Sequence, residues 1–256
     1  MIPKVIHYCW FGRNPLPKLA VKCIESWKKF LPDYEIKEWN EDNFDVNMIP
    51  YTKEAYEAKK YAFVSDYARF WILYNYGGLY FDTDVEVIKN MDDIIARGPF
   101  MGREKNIKRG ATPKSLGVAP GLGLGASPGL GLYKEIIEKY STLHFINQDG
   151  SLNQTTIVTY TTELLCNHGL KAINTIQIIA GISIYPKEYF CPKDYRTGKL
   201  TITDNSVSIH HYTESWANTK SRITRRISRM IGPNRYDAYI KTLSNIKFKI
   251  INILND

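Results

Sequence analysis

Several common architectures have little support in this sequence. Its four cysteines, Cys9, Cys23, Cys166 and Cys191, are widely separated and form no CxxC pair. That argues against a disulfide framework and a zinc knuckle and leaves reduced thiols as the expectation. The longest apolar run, Ile176 to Tyr185, is interrupted by Gln177 and Ser183 and is too short to span a bilayer. The opening MIPKVIHYCWFG has no basic stretch followed by an apolar one, so no signal peptide is read there. The glycine-rich stretch GVAPGLGLGASPGLGL is followed by no Gly-Lys-Ser/Thr, and no GxGxxG opens a helix behind a good strand. A phosphate-binding loop is therefore disfavoured against a flexible active-site flap over residues 103–132.

What is present is a chain of 256 residues, 44% hydrophobic and 23% charged. Such a chain can bury a substantial core, and whole-chain disorder is excluded. The net charge of +8 is unevenly placed. Residues 1–217 are nearly neutral, whereas residues 218–256 hold nine Lys and Arg against Asp237 and Asp256. Nucleic-acid binding through the main body is disfavoured, and the basic tail points to an anionic partner.

The periodicity reads as β-α-β at the start: a strand through Ile6 and Tyr8, a helix over 16–30 and a strand over 34–39. This opening is typical of α/β nucleotide-binding folds. One long helix is expected over 51–76, ended by Gly77 and Gly78. A short strand over 79–81 follows and carries Asp82-Thr83-Asp84 at its carboxyl end, where open α/β sheets bind ligands. Further strands are expected near 85–88, 175–179, 183–185 and 207–211, with helices over 130–140 and 152–167. The tail reads as two helices split by Gly232-Pro233.

Paired acidic oxygens at a strand end suit a hard divalent cation that also grips a diphosphate. Read alone, Asp82 and Asp84 also fit a solvated turn. Asp66 and Arg69, three apart on a helix, read either as an intrahelical ion pair or as part of a site. Their apolar neighbours make unpaired charge costly there. His210 and His211 are adjacent on a strand and face opposite ways, so at most one is expected to reach a metal. Trp10 reads as core or as a base-stacking ring. The segment Asn153-Gln154-Thr155-Thr156 reads as acceptor wall or helix cap.

The stretch SDYARFWILYNYGGLYFDTD resembles the glycosyltransferases with a DxD sugar-binding motif, of the sugar transferase family 32 type. That group includes fungal mannosyltransferases and bacterial capsule and lipopolysaccharide transferases, and more remotely the glucosylating domains of clostridial toxins. The opening IPKVIHYCWFG and the closing IHHYTESW also look like that family, so the resemblance runs from residue 2 to about 216. It implies an α/β fold of the GT-A type, Rossmann-like and nucleotide-sugar-binding, with a mixed sheet. The transferase domain would span residues 1–216, with a basic helical extension over 217–256.

The resemblance also implies roles. Asp66 and Arg69 would hydrogen-bond hydroxyls of the donor sugar, and Asp82 would contact the ribose or sugar. Asp84 would ligate Mn²⁺ or Mg²⁺, with His211 as a second ligand in preference to His210. Ser215 and Trp216 would lie near the diphosphate, and Trp10 would receive the nucleobase. Asp66, Arg69, Asp82 and Asp84 form the expected catalytic set. The implied activity is metal-dependent retaining transfer of a hexose from a nucleotide sugar, UDP first and GDP second. The expected acceptor is a saccharide, lipid-linked, in capsule or surface polysaccharide synthesis in a bacterium. A catalytically inactive sugar-nucleotide-binding module and a toxin-like transferase acting on protein are the competing readings. In the tail, Ile223, Ile227, Met230 and Ile231 share a helical face flanked by Arg222, Arg225, Arg226 and Arg229. This is either an interfacial helix on an anionic membrane or a packed terminal helix. The corresponding localisation is cytoplasmic, peripheral on the inner face of the cell membrane.

Overall fold

The structure is a computed structural model that describes residues 1–213 and 219–232. The chain divides into two compact units, one of Met1–Pro192 with Thr201–His211, the other of Lys193–Leu200 with Tyr212–Asp256. The expected boundary at 216–217 lies outside the described residues.

In the first unit, β1 (Val5–Cys9), α1 (Lys18–Phe30) and β2 (Glu35–Trp39) give the expected β-α-β opening. Then come α2 (Pro50–Glu57), α3 (Tyr61–Tyr76), β3 (Gly78–Tyr80), β4 (Val85–Val87) and α4 (Asp92–Ile95). They are followed by β5 (Phe100–Gly102), β6 (Leu124–Ala126), α5 (Gly131–Ser141) and α6 (Ile157–Asn167). The unit ends with β7 (Gln177–Ile179), β8 (Ile182–Tyr185), α7 (Lys187–Phe190) and β9 (Ser208–His210). The described helix of the second unit is α8 (Thr219–Ile231).

Seven strands form one mixed sheet in the order β2-β1-β3-β6-β5-β8-β7. β1 is parallel to β2 and β3, and β5 is parallel to β8. β6 runs antiparallel between β3 and β5, and β7 runs antiparallel to β8. Five strands therefore run one way, and their carboxyl ends share one edge. The α/β class and mixed sheet agree with expectation. β4 and β9 form a separate antiparallel pair.

The long helix expected over 51–76 is two helices. Lys59 adopts φ 56°, its N–H donates to the Tyr56 carbonyl, and the Lys60 N–H reaches back to the Ala55 carbonyl. This is a Schellman ending built on a lysine, so no glycine or proline marks the break. α3 is buried on most of its circumference, packing Phe70 edge-on against Tyr133 of α5 at 4.9 Å between ring centres. Such a helix sits inside the molecule rather than on its surface. Gly77 and Gly78 close it with φ of 64° and 101°. A side chain at Gly78 would put its Cβ 2.6 Å from the Val5 carbonyl oxygen, so the tight turn into β3 requires glycine.

The flap expected over 103–132 is only partly a loop. Residues 116–126 are buried, and β6 lies inside the sheet. Gly125 explains the misreading: a Cβ there would stand 2.2 Å from the Phe100 ring, so this strand position is glycine to let Phe100 cross it. Phe100 in turn stacks on Phe190 with ring centres 5.5 Å apart.

Candidate active site

α3 brings Asp66 and Arg69 into the interior, 8% and 3% exposed. Arg69 spends its planar fork on three partners. Nε donates to the Ser65 carbonyl at 2.9 Å, Nη2 to Asp66 Oδ1 at 2.9 Å, and Nη1 lies 3.2 Å from Asp82 Oδ1. The Tyr80 ring lies 4.9 Å from the guanidinium carbon, and the Tyr80 hydroxyl donates to Asp82 Oδ1 at 3.1 Å. The Ile157 N–H, at the start of α6, points at Asp66 Oδ2 at 3.4 Å. Burial pushes the Asp66 carboxyl up to about 7, opposed by Arg69 and reinforced by Asp82. Burial also works against the Arg69 charge, but Asp82, Tyr80 and Asp66 more than restore it. A buried ion network of this kind is expensive to desolvate, so its retention points to use.

Asp82 also borders the second cluster. Past β3 the chain turns, with the Val85 N–H returning to the Asp82 carbonyl at 3.0 Å, and β4 begins. β9 pairs with β4 so that His210 stands opposite Val85. His210 Nε2 lies 3.2 Å from Asp84 Oδ1. One ligand atom each from Asp82, Asp84 and His210 falls within a mutual 4.8 Å. Two carboxylates and an imidazole fit a hard to borderline divalent cation. Burial disfavours charge on His210, and the Asp84 carboxylate outweighs it, so the imidazole is pulled well above its ordinary value.

The choice of His211 over His210 does not match this geometry. His211 Nε2 lies 2.8 Å from Glu86 Oε2, which Lys22 also engages through the other oxygen at 2.9 Å. The ladder carries His210 beside Asp84, and the chain leaves the strand immediately after. His211 meets Asp84 through its main chain, donating its N–H to the Asp84 carbonyl at 2.9 Å. The signal was present in the alternation of Asp84 and Glu86, which offers each histidine its own acid.

The structure thus joins Asp66, Arg69 and Asp82 in one network and Asp82, Asp84 and His210 in another. Trp10 is half-buried and donates its indole N–H to the Asn14 carbonyl at 2.6 Å. Ser215 and Trp216 lie outside the described residues. Asn153 to Thr156 behaves as a loop and helix start, with Thr156 at the N-cap of α6 making no side-chain cap bond. Two contributors escaped the sequence reading. Gly121 donates no side chain, yet its carbonyl accepts the Asp82 N–H at 3.1 Å, and a Cβ there would lie 1.9 Å from Asp82 Oδ2. His7, in β1, accepts the Trp39 indole N–H at Nδ1 and donates through Nε2 to the Gly77 carbonyl, each at 3.0 Å. It thereby ties the turn before β3 to β1 and β2.

Comparison with known proteins bears directly on this geometry. Residues 17–101 match the family described as glycosyltransferase sugar-binding region containing DXD motif. The matched segment is similar to a DXD-type sugar-binding region. It holds Asp66, Arg69, Asp82 and Asp84, while His210 is supplied from outside it. The chain is 33% identical over 98 residues to inositol phosphoceramide mannosyltransferase 3 of Schizosaccharomyces pombe, covering 37% of this chain and 27% of that protein. It is 35% identical over 106 residues to the uncharacterized glycosyltransferase L373 of Acanthamoeba polyphaga mimivirus, covering 39% and 42%. The matches therefore span from about a quarter to two fifths of these relatives' length. Among solved structures, PaToxG glycosyltransferase superposes with a TM-score of 0.45 at 16% identity, covering 65% of this chain and 69% of that one.

Proposed function

We propose that this protein transfers a hexose from a nucleotide sugar to a saccharide acceptor, using a nucleotide-sugar-binding fold of the GT-A type. The observation that carries the reading is the double engagement of Asp82. Its carboxylate is contacted by Arg69 at both oxygens and also offers a ligand atom to the group with Asp84 and His210. A sugar bound against Asp66, Arg69 and Asp82 would find hydrogen-bond acceptors and a fixed guanidinium. A diphosphate held at Asp84 and His210 would be its neighbour, because Asp82 belongs to both groups. The sequence match to a sugar-binding region supports the same division.

In this reading Asp84 and His210, with Asp82 at their edge, hold Mn²⁺ or Mg²⁺. A divalent ion bound there supplies positive charge opposite the leaving diphosphate. Arg69 fixes the Asp82 carboxylate by two contacts and so orients it before donor arrives. Asp66, with its raised proton affinity, can accept from or donate to a sugar hydroxyl near neutrality. Trp10 offers the face on which the nucleobase stacks, and Ser215 and Trp216 complete the diphosphate side. Transfer proceeds with retention on one face of the sugar, the departing phosphate taking the acceptor proton.

The substrate reading is finer still. UDP and GDP are the donor nucleotides to test, and the mannosyltransferase names of relatives put mannose among the sugars. A lipid-linked acceptor, as in capsule or surface polysaccharide synthesis in a bacterium, agrees with α8. That helix carries five Lys and Arg and no acid, and its Ile223, Ile227, Met230 and Ile231 are all exposed. Such a face suits an anionic membrane surface, with the enzyme peripheral on the cytoplasmic side.

The test is a donor-hydrolysis screen with Mn²⁺ and a panel of UDP- and GDP-sugars, reading released nucleoside diphosphate. Metal-dependent release from one donor establishes the activity and names the sugar. Silence across the panel, with no thermal shift by UDP or GDP plus Mn²⁺, overturns the reading.

A further inference from the structure

The edge of the sheet that carries Asp82 carries another acid. The parallel strands β3, β5 and β8 all end there, and beyond them stand Asp82, Glu104 and Lys187. β6 runs antiparallel between β3 and β5, so its approach through Gly121 crosses the same edge. Two strand spacings, about 10 Å, separate the end of β3 from the end of β5.

Glu104 is held there by its backbone. The preceding Arg103 bridges to Val118, and the Glu104 N–H donates to the Gly117 carbonyl at 2.8 Å. Its side chain lies along Gly117, where a Cβ would stand 3.0 Å from Glu104 Cγ and 3.1 Å from Oε1. That contact withdraws the carboxylate from water, to 23% exposure. The nearest cation is Lys105, 3.8 Å away at Nζ, and among the described residues no group donates a hydrogen bond to it. Across the edge it interacts electrostatically with His210 and Lys187. It nevertheless lies outside the group of ligand atoms contributed by Asp82, Asp84 and His210.

A carboxylate largely removed from water without hydrogen bonds is costly unless a partner arrives. Among the described residues the Glu104 carboxylate has no hydrogen-bonding partner, and it stands on the sheet edge that carries Asp82, within electrostatic reach of His210. We propose that Glu104 belongs to the transfer site and faces the sugar being transferred, its carboxylate set against the positive charge that develops at the anomeric carbon. This rests on the transferase reading above. In the step concerned, the bond from C1 to the diphosphate oxygen breaks and its electron pair leaves with the diphosphate. An acceptor hydroxyl or water forms the new C1–O bond, and its proton passes to the departing phosphate. Glu104 stays unmodified throughout and acts by charge and position.

The isosteric variant Glu104→Gln keeps the packing on Gly117 and removes the charge. With the donor and Mn²⁺ that the wild type hydrolyses, kcat falls about 100-fold or more. The donor KM, and the thermal shift produced by UDP or GDP with Mn²⁺, stay within about twofold, because nucleotide and metal are held elsewhere. Glu104→Asp recovers part of kcat. Unchanged kcat in Glu104→Gln overturns the proposal. So does loss of the nucleotide shift together with turnover, which would make Glu104 part of the nucleotide hold. Failure of the transferase reading looks different, since the wild type itself then neither releases nucleotide nor shifts with it.

Discussion

Two adjacent histidines of this protein have the same kind of partner and different prospects. His210 meets Asp84 and His211 meets Glu86, at 3.2 and 2.8 Å. Among the described residues, only the longer pair is grouped with a second carboxylate as a possible ligand set. Asp84 has Asp82 within the same cluster, whereas the other neighbour of Glu86 is Lys22, a cation. Proximity of imidazole to carboxylate is therefore a poor guide to a metal site. What separates the pairs is the sign of the third group. An extra acid makes a ligand set, and an extra lysine neutralises the acid and makes a part-buried ion pair.

The sharpest way to break the comparison is at the acids. Asp84→Asn should lower metal-dependent nucleotide release by about 1,000-fold, because a ligand and a negative charge vanish while the side-chain shape stays. Far-ultraviolet circular dichroism should be unchanged. Turnover near wild type in a folded Asp84→Asn protein would remove the metal assignment.

A third histidine supplies the contrast in stability. His7 has no acid; it is wedged between the Trp39 indole and the Gly77 carbonyl, 2% exposed. Burial depresses its imidazole to about 4, with Lys37 reinforcing the effect and the Gly77 bond opposing it. Below about pH 6.5 the unfolded chain takes up a proton that the folded chain refuses. The contribution is therefore present above pH 6.5 and is lost as pH falls toward 4, amounting to roughly 3 kcal/mol for a shift of this size. Urea unfolding at a series of pH values reads it directly, and a flat profile between pH 6.5 and 4 would refute it.

Legibility in the sequence followed the same divide between local pattern and third partner. β1, α1, β2 and the Gly-Gly turn were readable because periodicity and glycine are local signals. The break at Lys59 was not, because a lysine in a positive-φ position leaves no compositional mark. The glycine-rich stretch was read as a flap, since nothing in sequence tells a glycine needed for flexibility from one needed for closeness. Gly121 and Gly125 are glycines of closeness, against Asp82 and against Phe100. At the candidate site, Asp66, Arg69, Asp82 and Asp84 were singled out by residue type and spacing. Which histidine stands beside Asp84 was not legible, because it depends on a register between β4 and β9, more than a hundred residues apart.

Gly121 permits a finer break. Gly121→Ala drives a methyl against Asp82 Oδ2 and must displace that carboxylate or the loop. Turnover should fall about 10-fold or more, since displacement of a positioning group by an ångström is enough. The Asp84–His210 pair is left in place, so the Mn²⁺ concentration for half-maximal turnover should move less than it does in His210→Ala. Equal shifts in the two variants would mean that Asp82 is as much a metal ligand as His210.

The smallest expected effect falls on the histidine that the sequence favoured. His210→Ala removes an imidazole from the cluster and should reduce turnover about 100-fold, with a rightward shift in the Mn²⁺ titration. His211→Ala removes one partner of Glu86 while Lys22 remains on its other oxygen. The Glu86 charge keeps a partner when the imidazole is removed. Turnover and Mn²⁺ dependence in His211→Ala should therefore stay within about threefold of wild type. The main-chain bond from residue 211 to the Asp84 carbonyl survives the substitution, so the turn that orients Asp84 is kept. If His211→Ala instead loses turnover as His210→Ala does, the imidazole of His211 must swing from Glu86 to the metal when donor binds. The pair seen here would then be its resting position.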